Sequence, residues 1–385
     1  MKSPISSVYG FTFAGDHAVE VDLSDRRVNE KHLENSIPMA ILHWMRHRPL
    51  DDLAKMRIVM RQIWKREAQA ILLQRSLFNS SRVAIEVICE GSAMKLTPPV
   101  DFPVQWRQAI ESQQPTVLQI EAILRENGIE RPDSMQFYQN VSNREKDVVQ
   151  GRIHGLKVLE LNLKKSKKSR QVTVGVGQPG KALGLKLAQM NLTGKQLVQY
   201  VTDNRSKPNG DLGLFEEDEE HYLESKVLGG LGANVEILKH LQFILPGSVF
   251  FQFPTVTETD GHSRYIDILA RQDTTPWAIE IKVARTPAKE GEYYFQALGQ
   301  ALSYAGFLKC AHGLEFLKAD FTNTRPVTLF PQFTEDHQGL QKDFEKLIQA
   351  LNQLLLPNNN AQAFYVDREQ WQKHRTVAMI EAGAA

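Results

Sequence analysis

Three charged side chains interrupt otherwise apolar strand patterns in the second half of this chain. Asp267 lies in a strand pattern over residues 263–271, and Glu280 and Lys282 lie in a second pattern over residues 277–283. A charge inside an apolar strand costs free energy unless it is paired, hydrogen-bonded or bound to a cation. Such groups are candidates for a functional site, and they restrict both the fold and the chemistry of the chain.

The polar sequence Asp-Thr-Thr-Pro between the two patterns favours a turn, and therefore an antiparallel hairpin. Alternate residues of a strand share a face, so Glu280 and Lys282 should point the same way. A turn centred between Thr274 and Thr275 places Asp267 opposite Lys282. Glu280 is then the diagonal neighbour of Asp267, at about 7–8 Å. This register predicts that all three groups meet on one face.

Two carboxylates with a lysine beside them suit a divalent cation and a phosphate ester. Mg²⁺ prefers hard oxygen ligands, keeps several waters and accepts a substrate phosphate. The lysine would orient or deprotonate a water, or neutralise charge that develops on the phosphate. The alternative is an edge hairpin with solvated charges. Four apolar neighbours argue against full exposure: Ile266, Ile268, Ile279 and Ile281.

This segment resembles the PD-(D/E)XK nuclease superfamily, which has the restriction-endonuclease-like fold. Asp267 matches the aspartate of the motif, and Glu280 with Lys282 matches its (D/E)-x-K part. The resemblance implies that the two acids hold Mg²⁺, for which Mn²⁺ would substitute, together with the carbonyl of Ile281. It also implies that Lys282 serves the attacking water. Ile266 stands where the motif has proline, a departure that is common in the family.

A helix pattern after the second strand extends the resemblance. Gln300 and Tyr304 look like the Gln-x-x-x-Tyr of the RecB-type branch, in which this helix lines the site. Gln296, one turn earlier, is an alternative to Gln300. Many members also carry a glutamate on a helix before the first strand, and Glu224 is the candidate here. A solvated glutamate at an acidic helix start is an equally good interpretation of Glu224.

The predicted fold class is α/β, with two domains. A polar stretch with Pro and Gly at residues 206–213 predicts a linker between a basic α+β domain of unrecognised fold (1–205) and a nuclease-like domain (214–385). The resemblance covers roughly residues 215–330 and implies an α-β-β-β-α-β core. Helices are predicted within and after this core over residues 218–243, 289–308 and 335–356.

The first half has weaker patterns. They predict a hairpin over 8–23, helices over 30–47 and 51–78, and a strand over 82–89. On the second of these helices, Arg57, Arg61 and Lys65 would form one stripe. Such a stripe would follow a phosphate backbone, although a solvated face is the more ordinary interpretation.

The two halves of the chain carry opposite charge. Residues 1–205 contain 30 Lys and Arg against 21 Asp and Glu, a net charge of +9, whereas the remaining residues contain 16 against 24, a net charge of −8. A basic half predicts binding of a polyanion, although attraction between the halves is an equal alternative. Five basic residues between two strand patterns are the best candidates for nucleic-acid contacts, although a disordered solubilising loop is an equal interpretation: Lys164, Lys165, Lys167, Lys168 and Arg170.

The composition, and residues missing from two other motifs, exclude several classes of protein. No apolar run approaches the ~18 residues of a membrane helix, and Cys89 and Cys310 provide no disulfide framework and no four-cysteine iron–sulfur site. A membrane partner is therefore not expected, and the cytoplasm is the expected location.

A glycine-rich loop at 175–181 resembles a P-loop but is followed by Ala182, which has no hydroxyl for Mg²⁺. The histidines of His43-Trp-Met-Arg-His lack the glutamate of a zinc hydrolase.

The sequence thus predicts a Mg²⁺-dependent nuclease that acts on nucleic acid, on DNA rather than RNA by family frequency. A role in defence against foreign DNA is an analogy from fold and domain layout. Cleavage of both strands usually needs two sites, which favours a homodimer, and a regulatory partner that controls cutting is the other expected partner. The alternative function is a non-catalytic protein that binds nucleic acid or a partner and retains the nuclease fold.

Overall fold

The computed structural model describes most of the first 96 residues and most of the chain after residue 264. The described residues are 8–64, 68–96, 104, 122, 125, 135–139, 148–153, 156–162, 172–174, 219–228, 242–243, 253–255, 264–284, 286–310, 320–369 and 379–381. These residues form both helices and strands, and the sheets include parallel and antiparallel strand pairs. This confirms the predicted α/β class. In this part of the chain, no helix has the length and apolarity needed to cross a membrane.

The first sheet has five strands in the order in which they occur along the chain. They are β1 (Gly10–Phe13), β2 (Ala18–Asp22), β3 (Lys55–Met60), β4 (Ala84–Cys89) and β5 (Ser92–Ala93). The hairpin of β1 and β2 is confirmed, with Gly15 at a φ of 84° in its turn, and β2, β3 and β4 are parallel. Three helices make the connections: α1 (Glu30–Glu34), α2 (Ser36–Met45) and α3 (Ala68–Arg75).

The predicted helix over residues 51–78 is wrong, because its first part is strand β3. Alternate residues of β3 are buried, which is the strand period rather than the helical one: Met56, Ile58 and Met60. Arg57 lies on the other face, where it pairs with Glu20. The predicted stripe on one helix face therefore does not form, since Arg57 is in a strand, Arg61 follows it and Lys65 lies outside the described residues.

The second sheet is antiparallel and has four strands. They are β6 (Met135–Gln139), β7 (Val148–Ile153), β8 (Leu156–Asn162) and β9 (Val172–Val174). The pairing of β8 with β9 confirms the two strands predicted around the basic segment. The segment itself, from Lys164 to Arg170, lies outside the described residues. The same holds for the glycine-rich loop at 175–181 and for the linker at 206–213.

The third sheet has six strands and follows helix α4 (Glu219–Leu228). Its strands, in spatial order, are β10 (Gln242–Phe243), β13 (Ile268–Gln272), β14 (Thr275–Ile281), β15 (Arg325–Pro331), β16 (Gln362–Val366) and β17 (Met379–Glu381). A separate pair consists of β11 (Phe253–Thr255) and β12 (Arg264–Ile266). The predicted helix over 218–243 is wrong at its end, because residues 242–243 pair with β13 instead.

Two helices connect the parallel strands of this sheet. Helix α5 (Glu290–Cys310) lies between β14 and β15, and helix α6 (Gln338–Leu354) lies between β15 and β16. Among the described residues, five strands (β10 to β14) lie between α4 and α5, where the predicted α-β-β-β-α-β order has three, so this core stays a prediction. Helix α5 also packs against β14 and β15.

One hydrophobic core joins the first sheet and its helices to α5 and α6. Helix α5 packs on α3, where the buried Gln74 Nε2 donates to the Gly299 carbonyl at 3.0 Å and to Ser303 Oγ at 2.8 Å. Phe78 forms an antiparallel bridge with Leu355. Residues 8–96 therefore share their core with the second half of the chain, while the predicted domain boundary lies outside the described residues and stays a prediction.

Close packing of α5 on α3 predicts a cost for any side chain at Gly306. Gly306→Ala should lower the free energy of unfolding by about 1–3 kcal/mol, because the new Cβ would clash with the main-chain carbonyl of Leu73. Gly339→Ala is the matched control, because Gly339 is exposed at the start of α6 and its new Cβ would meet no atom within 4 Å. This variant should be more stable by up to about 1 kcal/mol. Urea unfolding measures both. Equal changes in the free energy of unfolding for the two variants would contradict the close packing of α5 on α3.

Candidate active site

Asp267 and Glu280 lie at the end of the hairpin of β13 and β14, one step beyond its last pair. The last pair of the ladder is Ile268 with Ile279, and one further step leads to the two acids. Asp267 occupies a bend between β12 and β13. Side chains directly opposite each other on antiparallel strands have Cβ atoms about 4.5–5.5 Å apart. Because the acids directly follow such a pair, both carboxylates are within reach of a single cation.

The predicted register of this hairpin is wrong by two residues, because it placed Asp267 opposite Lys282. In the structure Gln272 pairs with Thr275, so the turn has only two residues and begins at Asp273. Asp273 adopts a φ of 53°, a conformation that aspartate tolerates better than the β-branched threonine. A shift of two residues leaves every side chain on its own face. The expected convergence of the three charges is therefore retained.

Glu280 lies on the face of the sheet that α5 covers. Three residues of β14 pack with α4 on the opposite face: Trp277, Ile279 and Ile281. Ala278 packs in the core that contains α5, and Glu280 follows it at the next alternate position. Glu280 is 2% exposed and Asp267 is 9% exposed. The Glu280 carboxylate is thus enclosed between the sheet and a helix, and Asp267 is buried rather than solvated at an edge.

The Lys282 ammonium compensates part of this buried negative charge. Its Nζ donates to Glu280 Oε1 at 2.6 Å, to Glu220 Oε1 at 3.2 Å and to the Ile281 carbonyl at 3.0 Å. The Ile281 amide donates to Asp267 Oδ2 at 2.9 Å. Ile281 therefore contacts the site through both its N–H and its carbonyl, and the predicted grouping of Asp267, Glu280 and Lys282 is present in the structure.

Glu220 is a site residue that the sequence analysis missed. It lies one helical turn before Glu224 on α4, so the two carboxylates share a face of that helix. The spacing of four was the signal that would have identified it. Glu224 is 1% exposed and its Oε2 lies 3.1 Å from His221 Nδ1, so its interpretation as a solvated residue is wrong. Its role in the site stays a prediction.

Burial shifts the ionisation of the acids upwards. The pKa of Asp267 is raised to about 7, chiefly by burial and then by the charges of Glu220 and Glu224, while Lys282 and the Ile281 amide oppose the shift. The pKa of Glu280 is raised by burial and by the charge of Asp267. Both shifts favour binding of a cation, because a positive charge would relieve the repulsion between the carboxylates.

Lys282 has a raised pKa despite its burial. Burial alone would lower its pKa, but the carboxylates of Glu220, Glu280 and Asp267 together raise it well above its ordinary value. The side chain is therefore a charged donor in this arrangement. Of the roles predicted for it, orienting a water and neutralising phosphate charge agree with this ionisation, whereas deprotonating a water does not.

Gln296, Gln300 and Tyr304 follow one another at a spacing of four and form one stripe of α5. Gln296 and Tyr304 are buried and Gln300 is partly buried. The Oε1 atoms of both glutamines are buried with no hydrogen-bond partner among the described residues. No hydrogen bond within that part of the chain joins Gln300 to the carboxylates. A role for Gln300 and Tyr304 in the site stays a prediction.

The side chains present fit a Mg²⁺ ion in number and type. Oε2 of Glu280 is buried and has no hydrogen-bond partner in the described part of the chain. In the same part, no group of three or more His, Cys, Asp or Glu side chains is arranged to hold a metal ion. Two carboxylates with the Ile281 carbonyl form a small ligand set, which suits Mg²⁺ because this ion keeps several waters.

Asp267→Asn should stabilise the metal-free protein by about 1–4 kcal/mol above pH 7, because it removes a buried charge and keeps an acceptor for the Ile281 amide. The wild-type carboxyl has its pKa raised from 3.8 to about 7, so its contribution to stability is present below 3.8 and is lost as the pH rises to 7. The gain should therefore be absent below pH 3.8 and grow up to pH 7.

Urea unfolding in EDTA across this pH range measures the gain. Asp273→Asn is the matched control, because Asp273 is exposed at the turn of the same hairpin. It should change stability little at any pH. A gain for Asp267→Asn that does not vary with pH would contradict the raised pKa of Asp267.

Comparison with known proteins gives no match: no protein-family model, no curated protein and no solved structure matches the chain. The resemblance to PD-(D/E)XK nucleases therefore rests on the motif residues of the sequence alone. The function therefore has to be argued from the chemistry of the site.

Proposed function

We propose that this chain is a metal-dependent nuclease that hydrolyses phosphodiester bonds of nucleic acid. One observation carries the proposal: Asp267 and Glu280 are both buried, one step beyond the Ile268–Ile279 pair, and the Lys282 ammonium donates to Glu280. Burying these charges costs free energy of folding, and apolar side chains at the same positions would not have this cost. Such clusters are typical of sites that bind a cation and act on a charged substrate.

Asp267 and Glu280 would hold a Mg²⁺ ion, with the Ile281 carbonyl beside them. When bound, the ion polarises a phosphoryl oxygen and neutralises negative charge. The Ile281 amide fixes the orientation of Asp267 through its hydrogen bond to Oδ2. Because Ile281 is held in β14 by its pairing with β15, this hydrogen bond places the aspartate relative to the sheet.

Lys282 would orient the attacking water and stabilise the charge that develops on the phosphate oxygens. Its ammonium is positioned by three acceptors: Glu220, Glu280 and the Ile281 carbonyl. Helix α4 contributes to the site through Glu220, although the motif residues lie on the hairpin. The raised pKa of Lys282 supports this role as a charged donor.

Nucleic acid is the proposed substrate, and DNA is preferred over RNA. The net positive charge of residues 1–205 supports binding of a polyanion, and the basic residues from Lys164 to Arg170 are its proposed contacts. A role in defence against foreign DNA and assembly as a homodimer both stay predictions. The alternative function, binding without catalysis, would leave three buried charges without a chemical use.

The proposal predicts metal-dependent cleavage that requires Lys282. The full chain is incubated with supercoiled plasmid, linear duplex, single-stranded DNA and RNA, each with Mg²⁺, with Mn²⁺ and with EDTA. Lys282→Ala and the near-isosteric Glu280→Gln should each lower the cleavage rate by roughly 10²–10⁴-fold, because one removes the donor and the other a cation ligand. The substrate that is cut fastest names the substrate class.

Lys289→Ala is the matched control, since Lys289 is exposed and pairs only on the surface, with Glu292. It should cleave at the wild-type rate. Thermal unfolding shows whether Lys282→Ala remains folded, and Glu280→Gln provides the test if it does not. A wild-type chain that binds nucleic acid without cutting it would support the non-catalytic alternative instead.

A further inference from the structure

Thr328 lies directly beside Glu280 in the parallel pairing of β14 with β15. Its neighbours Val327 and Leu329 pack with α4, and Phe330 packs in the core that contains α5. Thr328 therefore points towards α5, as Glu280 does. Strands in a sheet are about 4.8 Å apart, so these two side chains are neighbours on the same face.

Both side chains have a buried polar atom without a partner. Thr328 is 0% exposed, and its Oγ1 has no hydrogen-bond partner among the residues that the structure describes. Oε2 of Glu280 is likewise buried without one. Buried polar atoms are usually hydrogen-bonded in folded proteins, and these two belong to paired residues of neighbouring strands at the candidate active site.

Structural needs do not explain a threonine at this position. Valine has the same shape and is equally suited to a strand, and it has no hydroxyl to desolvate. Thr324 shows the ordinary case: it is also 0% exposed, but its Oγ1 donates to the Ala305 carbonyl at 2.9 Å. The hydroxyl of Thr328 is therefore available for a hydrogen bond that the described side chains of the sheet do not form with it.

We propose that Thr328 is a positioning residue of the carboxylate site: its hydroxyl donates to Oε2 of Glu280, directly or through one water, and holds the carboxylate in the orientation that binds a divalent cation. The inference rests on the proposed function in assuming that a cation binds at Asp267 and Glu280. Glu280 Oε1 is already held by Lys282, so the hydroxyl would fix the second oxygen of the same carboxylate.

The test compares Thr328→Val and Thr328→Ser with Thr324→Val. Thermal unfolding of each full-length variant is measured in EDTA and over a titration with Mg²⁺ and with Mn²⁺, and cleavage is measured in parallel. Thr328→Val should be as stable as the wild type in EDTA, or more stable, because it removes an unpaired hydroxyl. Its apparent metal affinity should fall by roughly 10–100-fold, as is typical when a group that orients a metal ligand is lost.

Two variants distinguish positioning from packing. Thr328→Ser keeps the hydroxyl and should restore the metal affinity and the cleavage rate of the wild type. Thr324→Val loses a satisfied hydrogen bond and should unfold at a lower temperature in EDTA, with an unchanged metal affinity. A Thr328→Val protein that unfolds earlier in EDTA and binds metal normally would show that the hydroxyl is structural, which overturns the inference.

The outcomes separate this inference from the proposed function. A metal-induced shift of the wild type that Thr328→Val loses, without any cleavage by either protein, supports the role of Thr328 and contradicts the nuclease. Wild-type cleavage that Thr328→Val matches at every metal concentration contradicts only the role of Thr328. A wild type with neither a metal-induced shift nor cleavage contradicts both.

Discussion

The close approach of helix α5 to helix α3 is the constraint on which the arrangement of the described residues depends. A Cβ at Gly299 or Gly306 would collide with main-chain atoms of the first half of the chain. The other side of α5 covers β14 and β15, so the same helix holds the first sheet and encloses the Glu280 carboxylate. A helix buried on nearly all sides belongs to the centre of a core, and α5 has that position.

Charge compensation is the second requirement, and it explains why the site includes residues from three elements. Asp267 and Glu280 repel each other in a buried position, and both have a raised pKa. Lys282 lowers this cost, and Glu220 on α4 in turn holds its ammonium. The arrangement has more acid than base, which makes it receptive to a divalent cation. This excess of negative charge is the physical link between the fold and the proposed nuclease activity.

Local patterns predicted that Glu280 and Lys282 lie on one face, because strand alternation depends only on neighbours in the chain. The shared face of Glu280 and Lys282 follows from that alternation and survives an error of two residues in the register. The error arose because the turn begins at Asp273, whose φ of 53° no periodicity reveals. The helix predicted over residues 51–78 is wrong in its first part, where the apolar residues Met56, Ile58 and Met60 are buried at the strand period in β3.

The sequence by itself determined the α/β class, the hairpin that carries the motif and the face on which its charges lie, since each follows from short-range periodicity and turn chemistry. Only the tertiary structure decided that α5 packs on α3, that Glu220 contacts Lys282 and that Thr328 lies beside Glu280. These are contacts between residues far apart in the chain. Packing and the need to compensate buried charge determine these contacts, and local sequence patterns contain no information about either.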